Sequence, residues 1–279
     1  MSNYYPPVII IGMHRSGTSL LARMLQECGV FMGAKRNRHD EALFFFKRNQ
    51  HIFRLAHADW DNPGPVKYLL DCQEMRAELT ASLRAGMTSF GTTEYLGLTK
   101  YMKFGGLTSI VHPWGWKDPK NSYTLPIWLD IFDAAKVIHI YRNGVDVVYS
   151  LWKREKNRLN RLANPLLSCR CMSLEGAFAL WAEYEHMNLS VTEDLPDDRV
   201  LRLRYENLLA NPLDHLDRIA RFLQISFDPT IRDRLAQDIH PGRAHAFLRN
   251  EELRRFYERN RNHPLMERFG YQTFPRASE

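Results

Sequence analysis

The chain carries the sequence VIIIGMHRSGTS at residues 8–19, and the expected fold follows from this stretch. Residues 8–11 are consecutive apolar residues with branched β-carbons, which is typical of a short strand buried on both faces of a sheet. The glycines at 12 and 17 predict a tight turn after that strand. From Gly17 to Cys28 the apolar residues recur at helical spacing, and Gly29 predicts the end of the helix. The stretch therefore predicts a strand, a glycine-rich loop and a helix in succession.

A loop of this kind is suited to bind a phosphate group. Glycines let the backbone turn around an oxyanion, and the N-terminus of the following helix offers N–H groups and a positive dipole end. The spacing matches the triphosphate-binding loop G-x-x-x-x-G-K-[ST], but Thr18 stands where the lysine belongs. That lysine reaches the β- and γ-phosphates, so its absence argues against ATP or GTP chemistry. The positive charge stands instead at Arg15, where it can serve a single phosphate.

Strands and helices are predicted to alternate along the rest of the chain. The patterns predict strands around 110–111, over 135–141 and over 199–205, and helices over 40–56, 71–85, 145–156, 173–194 and from 211 onward. Residues 59–68 are predicted to form a loop and 116–119 a turn, in which Asp118 and Pro119 suit the N-cap and first position of a helix. Alternation of this kind indicates an α/β fold with a mostly parallel sheet flanked by helices.

A second cluster, at residues 137–150, contains a cation and a hydroxyl that can meet at one phosphate. Arg142 follows an apolar strand and so lies at its carboxyl end, where ligands bind in an open α/β sheet. Ser150 lies about two turns into the next helix. An arginine at the end of a strand can equally be an ion-pair partner within the fold. Taken with the loop at 12–19, the cluster predicts a site for a second phosphate.

Four segments follow one another in a recognisable order. They are GMHRSGTSLL at 12–21, WKDP at 116–119, RNGVDVVYS at 142–150 and RYENL at 204–208. The set resembles the sulfotransferase family, in which a 5′-phosphosulfate loop, a K-D-P element, a 3′-phosphate segment R-[DN]-P-x-D-V-x-x-S and a Y-E-[DN]-L segment occur in this order. The K-D-P element is found in bacterial members and in tyrosylprotein sulfotransferases. Gly144 departs from the usual proline of the third segment.

The resemblance implies a fold, a co-substrate and a set of site residues. The fold is a P-loop-NTPase-like three-layer sandwich, expected to form a single domain over residues 1–279. The co-substrate is 3′-phosphoadenylyl sulfate (PAPS), whose sulfuryl group passes to a hydroxyl or amine, leaving 3′-phosphoadenosine 5′-phosphate (PAP). The implied nucleotide-binding residues are Arg15, Ser16, Gly17, Thr18, Ser19, Arg142, Ser150, Tyr205 and Arg243. Packing at the end of a strand is the alternative for Tyr205, and Arg243 rests on a short resemblance at residues 241–243.

Three residues are candidates for the chemistry. Lys117 matches the family's catalytic lysine and is the candidate cation near the bridging oxygen, with Arg15 beside the 5′-phosphate. Glu41 is the candidate general base, and Asp40 and His39 are its competitors. The alternatives are a surface lysine before a helix and a solvated carboxylate at a helix start.

The acceptor has no readable sequence pattern, and carbohydrate, lipid, peptide and small molecule all fit. Trp60, Trp114 and Trp116 either line an acceptor pocket or belong to the core. Two rival functions stay open at this point. A P-loop kinase needs the missing loop lysine and a magnesium-holding acid at the end of a strand, which residues 135–141 lack. A non-catalytic nucleotide-binding protein is the second rival.

Composition narrows the class of protein. The chain has 279 residues, of which 44% are apolar, as is ordinary for a globular protein. Its net charge of +6 is compatible with nucleic acid, an anionic membrane surface or a small anionic ligand, and the C-terminal charges are equally compatible with a solvated basic face. The four cysteines are expected to be reduced thiols, and the N-terminus lacks the features of a signal peptide, so a cytoplasmic location is expected. No apolar run of about 18 residues predicts a membrane segment. Neither a nucleic-acid partner nor a metal is expected, and the oligomeric state is not predicted.

Overall fold

The structure, a computed structural model, describes residues 4–161, 167–239, 242 and 244–273. Its strands are β1 (Val8–Ile11), β2 (Gly115–Lys117), β3 (Lys136–Tyr141) and β4 (Val200–Arg204). Its helices are α1 (Thr18–Glu27), α2 (Leu43–Leu55), α3 (Pro65–Asp71), α4 (Gln73–Gly86), α5 (Thr93–Phe104), α6 (Asn121–Ile131), α7 (Gly144–Arg161), α8 (Leu174–Ser190), α9 (Tyr205–Ala210), α10 (Pro212–Leu223), α11 (Pro229–Gln237), α12 (Glu251–Asn260) and α13 (Pro264–Arg268).

The strands of the described residues form one sheet in the order β2-β1-β3-β4, and every pair is parallel. Ile9 of β1 lies opposite Trp116 on one side and Val137 on the other. Ile140 of β3 lies opposite Leu203 of β4. All four strands therefore end at the same edge, where the predicted phosphate-binding segments begin.

The two faces of the sheet bury different sets of side chains. Successive residues of a strand point to opposite faces. Ile9 and Ile11 accordingly pack into one hydrophobic cluster, with residues of α2, α6 and α8. Val8 and Ile10 pack into a second cluster, with residues of α1 and α10. Helices thus cover both faces of a parallel sheet, and the predicted three-layer α/β fold is confirmed.

One predicted strand was wrong. Residues 110–111 are not a strand: Ile110 is buried, but Val111 is 53% exposed. The strand lies at Gly115–Lys117 instead, so Lys117 ends a strand and does not belong to a turn. Gly115 allows this strand to lie close to β1, because a Cβ at that position would stand 2.1 Å from the carbonyl oxygen of Val8.

One predicted loop and one predicted helix start also differ from the structure. Helix α3 begins at Pro65, inside the segment predicted as a loop, with proline at its first position. Helix α6 begins at Asn121, two residues later than predicted. Asp118 does not cap it: one carboxylate oxygen accepts the N–H of Lys120 at 2.9 Å, and the other accepts the side chain of Asn49 at 2.9 Å. Asp118 therefore ties the turn after β2 to helix α2.

The helices, the cysteines and the possible metal ligands have the following properties. No helix among the described residues is both long enough and apolar enough to cross a membrane. None of the four cysteines is in a disulfide. Within the described ranges, His, Cys, Asp and Glu side chains do not gather in any group of three that could hold a metal ion.

Candidate active site

The loop between β1 and α1 is shaped by residues with positive φ. Gly12 has a φ of 144°, Arg15 of 73° and Gly17 of 98°. A Cβ on Gly12 would lie 2.3 Å from the carbonyl oxygen of Ile140, and one on Gly17 would lie 2.3 Å from the ring of Tyr205. The loop therefore lies directly against the end of β3 and the start of α9, where only glycine fits.

The first turn of α1 has unsatisfied donors. Its N-cap is Gly17, which has no side chain to accept a hydrogen bond from the backbone N–H groups. Ser16 is fully buried and its hydroxyl has no hydrogen-bond partner, while Thr18 is 4% exposed. Ser19 differs, because its hydroxyl donates to the carbonyl oxygen of His39 at 2.8 Å. Uncapped N–H groups beside a buried, unpartnered hydroxyl are suited to hold an oxyanion.

The structure brings the second predicted phosphate segment onto this loop. Nε of Arg15 donates to the hydroxyl of Ser150 at 2.8 Å. Arg142 donates to the backbone carbonyl oxygen of Arg15 at 3.2 Å, and its guanidinium lies 4.7 Å from the centre of the Tyr205 ring. Residues from the loop, the end of β3, α7 and the start of α9 thus meet at one place.

Two acidic residues, which sequence reasoning did not single out, contact Arg142 and the residue that follows it. Asp146 lies 3.3 Å from the guanidinium of Arg142 and accepts the N–H of Phe247 at 3.0 Å. Burial raises the pKa of Asp146, and the charge of Arg142 opposes that rise. Glu206 accepts the backbone N–H of Asn143 at 3.0 Å. The sequence could have pointed to these two residues, because Asp146 is the acidic residue of the segment at 142–150 and Glu206 that of the segment at 204–208.

The candidate catalytic residues Lys117 and Glu41 form a buried ion pair. Nζ of Lys117 lies 3.2 Å from the Glu41 carboxylate, and the two side chains are 1% and 8% exposed. Lys117 also donates to the carbonyl oxygen of His39 at 2.5 Å. The second oxygen of Glu41 accepts from Asn37 at 2.6 Å. This ion pair therefore connects the end of β2 to the turn before α2.

The two competitors for the role of base have different surroundings. Asp40, with a φ of 62°, pairs with Arg23 at 3.4 Å and with Arg36 at 3.7 Å. The His39 ring lies 3.1 Å from Nε of Arg38, and His39 lines the cavity described next. Burial lowers the pKa of His39; the charge of Glu41 opposes this, and the positive charge of Arg38 adds to it. His39 therefore holds a proton less tightly than a free histidine does, whereas Asp40 is engaged by arginines.

A cavity of about 1000 Å³ lies between the glycine loop, the 38–40 turn and α7. Three of the residues that line it are aspartates and seven are lysines or arginines. The lining cations of the described chain are Arg15, Arg23, Arg38, Arg142, Lys153, Arg154 and Arg158. An excess of positive charge in a concave site favours a polyanionic ligand.

Helix α7 contributes cations that sequence reasoning missed. Lys153, Arg154, Asn157 and Arg158 line the cavity. They follow Ser150 by three, four, seven and eight positions, so they lie on the same helical face. This spacing was readable in the sequence once Ser150 was assigned to the site. The helix thereby extends the anion-binding surface along its length.

The three candidate tryptophans fall in two places. Trp114 and Trp116 are fully buried in the core, so they do not line a pocket. Trp60 lies at the site: its ring is 5.0 Å from that of His14, edge to face, and 4.7 Å from the guanidinium of Arg154. Burial lowers the pKa of His14 well below its usual value, and neighbouring cations add to the effect.

Tyr205 and Arg243 are the remaining residues predicted to bind the nucleotide. Tyr205 is 4% exposed, and its ring both packs against Gly17 and borders the cavity. The structure is therefore compatible with both readings of Tyr205. Arg243 lies outside the described residues, while its neighbour Gly242 lines the cavity.

The chain is similar to known proteins both in sequence and in fold. A sequence profile of the sulfotransferase family matches residues 6–229. The sulfotransferase domain of the Synechococcus PCC 7002 olefin synthase has 22% identity, with 99% of this chain and 91% of that chain covered and a TM-score of 0.50. Mouse sulfotransferase SULT7A1, solved in complex with PAP, has 13% identity, with 98% and 91% covered and a TM-score of 0.52. At these identities the structural likeness concerns the fold.

A curated relative matches a shorter region. Cytosolic sulfotransferase 16 of Arabidopsis thaliana is 29% identical over 106 residues, which cover 34% of this chain and 29% of that protein. The match thus spans less than a third of the relative's length. The profile match, in contrast, extends over most of this chain and includes the glycine loop, β2, β3, α7 and β4. The chain belongs to the sulfotransferase family.

Proposed function

We propose that this protein transfers a sulfuryl group from PAPS to a hydroxyl or amine of an acceptor and releases PAP. The observation that carries the proposal is the meeting of Arg15, Ser150 and Arg142 beside the glycine loop, at a cavity lined by cations. A donor with a 5′-phosphosulfate and a 3′-phosphate needs two neighbouring anion sites. The uncapped start of α1 is suited to be one of these anion sites. Arg142 and Ser150 are suited to form the other.

The glycine loop suits the 5′-phosphosulfate. Its proposed ligands are the backbone N–H groups of residues 16–19 and the side chains of Arg15 and Thr18. The buried hydroxyl of Ser16 supports this assignment, because a polar group that has lost water is expected to find a partner when the ligand binds.

The 3′-phosphate is assigned to the other side of the cavity. Arg142 and Ser150 are its proposed ligands, and Arg154 joins them from the next turn of α7. The Arg142 guanidinium packs on the ring of Tyr205. Tyr205 is also a proposed contact of the nucleotide. Arg243 is proposed to close over the nucleotide, as the resemblance implies.

In the reaction, the acceptor oxygen or nitrogen bonds to sulfur as the bond from sulfur to the bridging oxygen breaks. Lys117 and Arg15 stabilise the negative charge that develops on this oxygen, and Glu41 takes the acceptor's proton. Lys117 lies behind the cavity lining and donates to the carbonyl of His39, so contact with the donor requires it to exchange that hydrogen bond. The ion pair of Lys117 and Glu41 holds the two groups together at that end of the site.

We also propose that residues 1–279 act as a single domain. Residues of α12 and α13 pack into the same hydrophobic cluster as Ile9 of the central strand β1. The C-terminal helices thereby share a core with the phosphate-binding half of the chain, which supports one cooperative unit.

Thermal unfolding with and without nucleotides tests the proposal. PAP at about 100 times its Kd is expected to add about 2.7 kcal/mol to the free energy of unfolding, which raises Tm by roughly 5 °C or more. ATP with magnesium should raise it much less, and adenosine 5′-phosphate, which lacks the 3′-phosphate, serves as the control. An equal or larger rise with ATP and magnesium would overturn the proposal.

A further inference from the structure

Lys120 is a buried cation that the proposed reaction does not use. It is the N-cap residue of α6, three residues after the end of β2, and it is 8% exposed. Its ammonium faces two rings of α2, at 4.9 Å from the centre of Phe46 and 5.8 Å from that of Phe53. Within the described residues the ammonium makes no hydrogen bond or ion pair, and these two aromatic faces are its close contacts. The stem of the side chain is buried, but the ammonium nitrogen keeps contact with solvent and is therefore open to an anionic ligand.

The neighbouring acid, Asp118, does not form an ion pair with this ammonium. Asp118, two residues earlier, is close enough for the charge of Lys120 to act on it. Both oxygens of Asp118 are already engaged, one by the side chain of Asn49 and the other by the backbone N–H of Lys120. Among the described side chains the two charged groups interact only at a distance and form no ion pair. The ammonium therefore has no hydrogen-bonded anionic partner within the described residues.

A second unpartnered polar group stands near Lys120. His14 belongs to the glycine loop, directly before Arg15, and its Nε2 is buried without a hydrogen-bond partner. His14 follows β1 and Lys120 follows β2, and these neighbouring parallel strands end at the same edge of the sheet. The ring of Trp60 packs on His14 at 5.0 Å. A cation, an imidazole and an aromatic surface therefore lie together, next to the loop proposed to hold the reacting phosphosulfate.

The donor nucleotide does not account for this cluster. The proposed phosphate ligands Arg15, Arg142 and Ser150 all line the large cavity, whereas neither Lys120 nor His14 does so. The cluster also adjoins helix α2, which follows the turn that carries Glu41, the proposed base.

We propose that Lys120, with His14 and Trp60 beside it, binds an anionic group of the acceptor. The acceptor class is then a hydroxyl or amine compound that also carries a carboxylate, sulfate or phosphate. The inference rests on the proposed function, since an acceptor subsite presupposes the transfer. The oxyanion pairs with the Lys120 ammonium, and the rings of Phe46 and Trp60 pack against the apolar body that bears it.

Calorimetric titration of the full chain, first saturated with PAP, tests this subsite. The probes are 4-hydroxybenzoate, 4-hydroxybenzenesulfonate and 4-hydroxyphenyl phosphate, and the neutral comparison is 4-hydroxybenzamide. At least one anionic probe is expected to bind about tenfold or more tightly than the amide, which corresponds to about 1.4 kcal/mol. The three anionic arms identify which oxyanion the subsite prefers.

Two substitutions that each remove one positive charge test whether the preference for the anion depends on Lys120. Lys120→Met is expected to reduce the affinity of the anionic probe to that of the amide, while PAP affinity stays within about twofold. Lys156→Met is the control, because Lys156 is an exposed residue of α7 that stacks on Trp152 outside the cavity. This control should keep the full preference for the anion. Lys120→Arg retains the charge and should retain the preference, so the test does not depend on a single variant.

The outcomes separate the two proposals. Failure of the wild-type chain to bind PAP would refute the proposed function. If PAP binds, but the anionic probes and the amide bind equally or not at all, the acceptor subsite alone is refuted. The subsite is also refuted if Lys120→Met keeps the anion preference of the wild type.

Discussion

Replacement of Lys117 by Met separates its contribution to the fold from its contribution to the chemistry. The ammonium lies 3.2 Å from the Glu41 carboxylate, and both side chains are almost fully buried. Without Lys117, Glu41 keeps one donor, the side chain of Asn37 at 2.6 Å. Removing one partner of a buried ion pair costs about 3–5 kcal/mol, because the other charge stays buried. We expect the lower end, about 3 kcal/mol, since Asn37 still donates to the carboxylate.

A double-substitution cycle measures the coupling between the two charges. Glu41→Gln keeps an oxygen that can accept from Asn37 but removes the charge that Lys117 faces. The double variant Lys117→Met/Glu41→Gln should be more stable than the sum of the single losses by about 2 kcal/mol, because no buried charge is left alone. Urea unfolding at pH 7 gives all four free energies. Lys47→Met is the surface control: Lys47 pairs with Glu94 but is 60% exposed, so its loss should cost about 1 kcal/mol or less.

The same variant then reports on catalysis. Lys117 is proposed to act on charge that develops at the bridging oxygen, so Lys117→Met should keep PAP affinity within about threefold and lose about 100- to 1000-fold in kcat. Affinity is measured by calorimetry, and turnover with labelled PAPS and an acceptor found by screening. A stability loss below about 1 kcal/mol together with unchanged kcat would refute both the buried-pair energetics and the catalytic role.

Three further predictions concern the loop and the phosphate site. Arg142→Ala should weaken PAP binding by about 2–5 kcal/mol while adenosine 5′-phosphate binding changes little; equal weakening of both, by calorimetry, would make Arg142 a structural residue. Gly17→Ala should cost about 2 kcal/mol or more in urea unfolding, because of its φ of 98° and a Cβ 2.3 Å from the Tyr205 ring, whereas Gly64→Ala, where a Cβ meets nothing within 4 Å, should change stability little. Since the pKa of His14 is lowered in the fold, the unfolded chain binds the proton first as pH falls, and stability is lost below about pH 6.5 by up to about 1.4 kcal/mol per pH unit. His14→Phe should reduce that slope between pH 7.5 and 5, and an unchanged slope would contradict the assignment.

Local sequence pattern was sufficient for the central elements. The apolar run at 8–11, the two glycines of the following loop and the helical spacing after Gly17 each depend on neighbouring residues only, and β1, the loop and α1 agree with them. The same holds for β3 and β4, which agree with the predictions within one residue. Strand β2 could not be located in this way, because its position depends on the close approach of Gly115 to Val8 in another strand.

The candidate site was readable as separate segments, but their meeting was not. Parallel strands end at one edge, so the sequence already indicated that the loop after β1 and Arg142 after β3 are neighbours. That Arg15 donates to Ser150, and that Lys117 is buried against Glu41, depends on how α7 and the turn before α2 pack on the sheet. The burial of Lys120 likewise results from the packing of α2 on the turn after β2. Residue type and spacing along the chain therefore determined which groups lie at the edge where the parallel strands end. Long-range packing decided which of these groups pair with each other and which are available to a ligand.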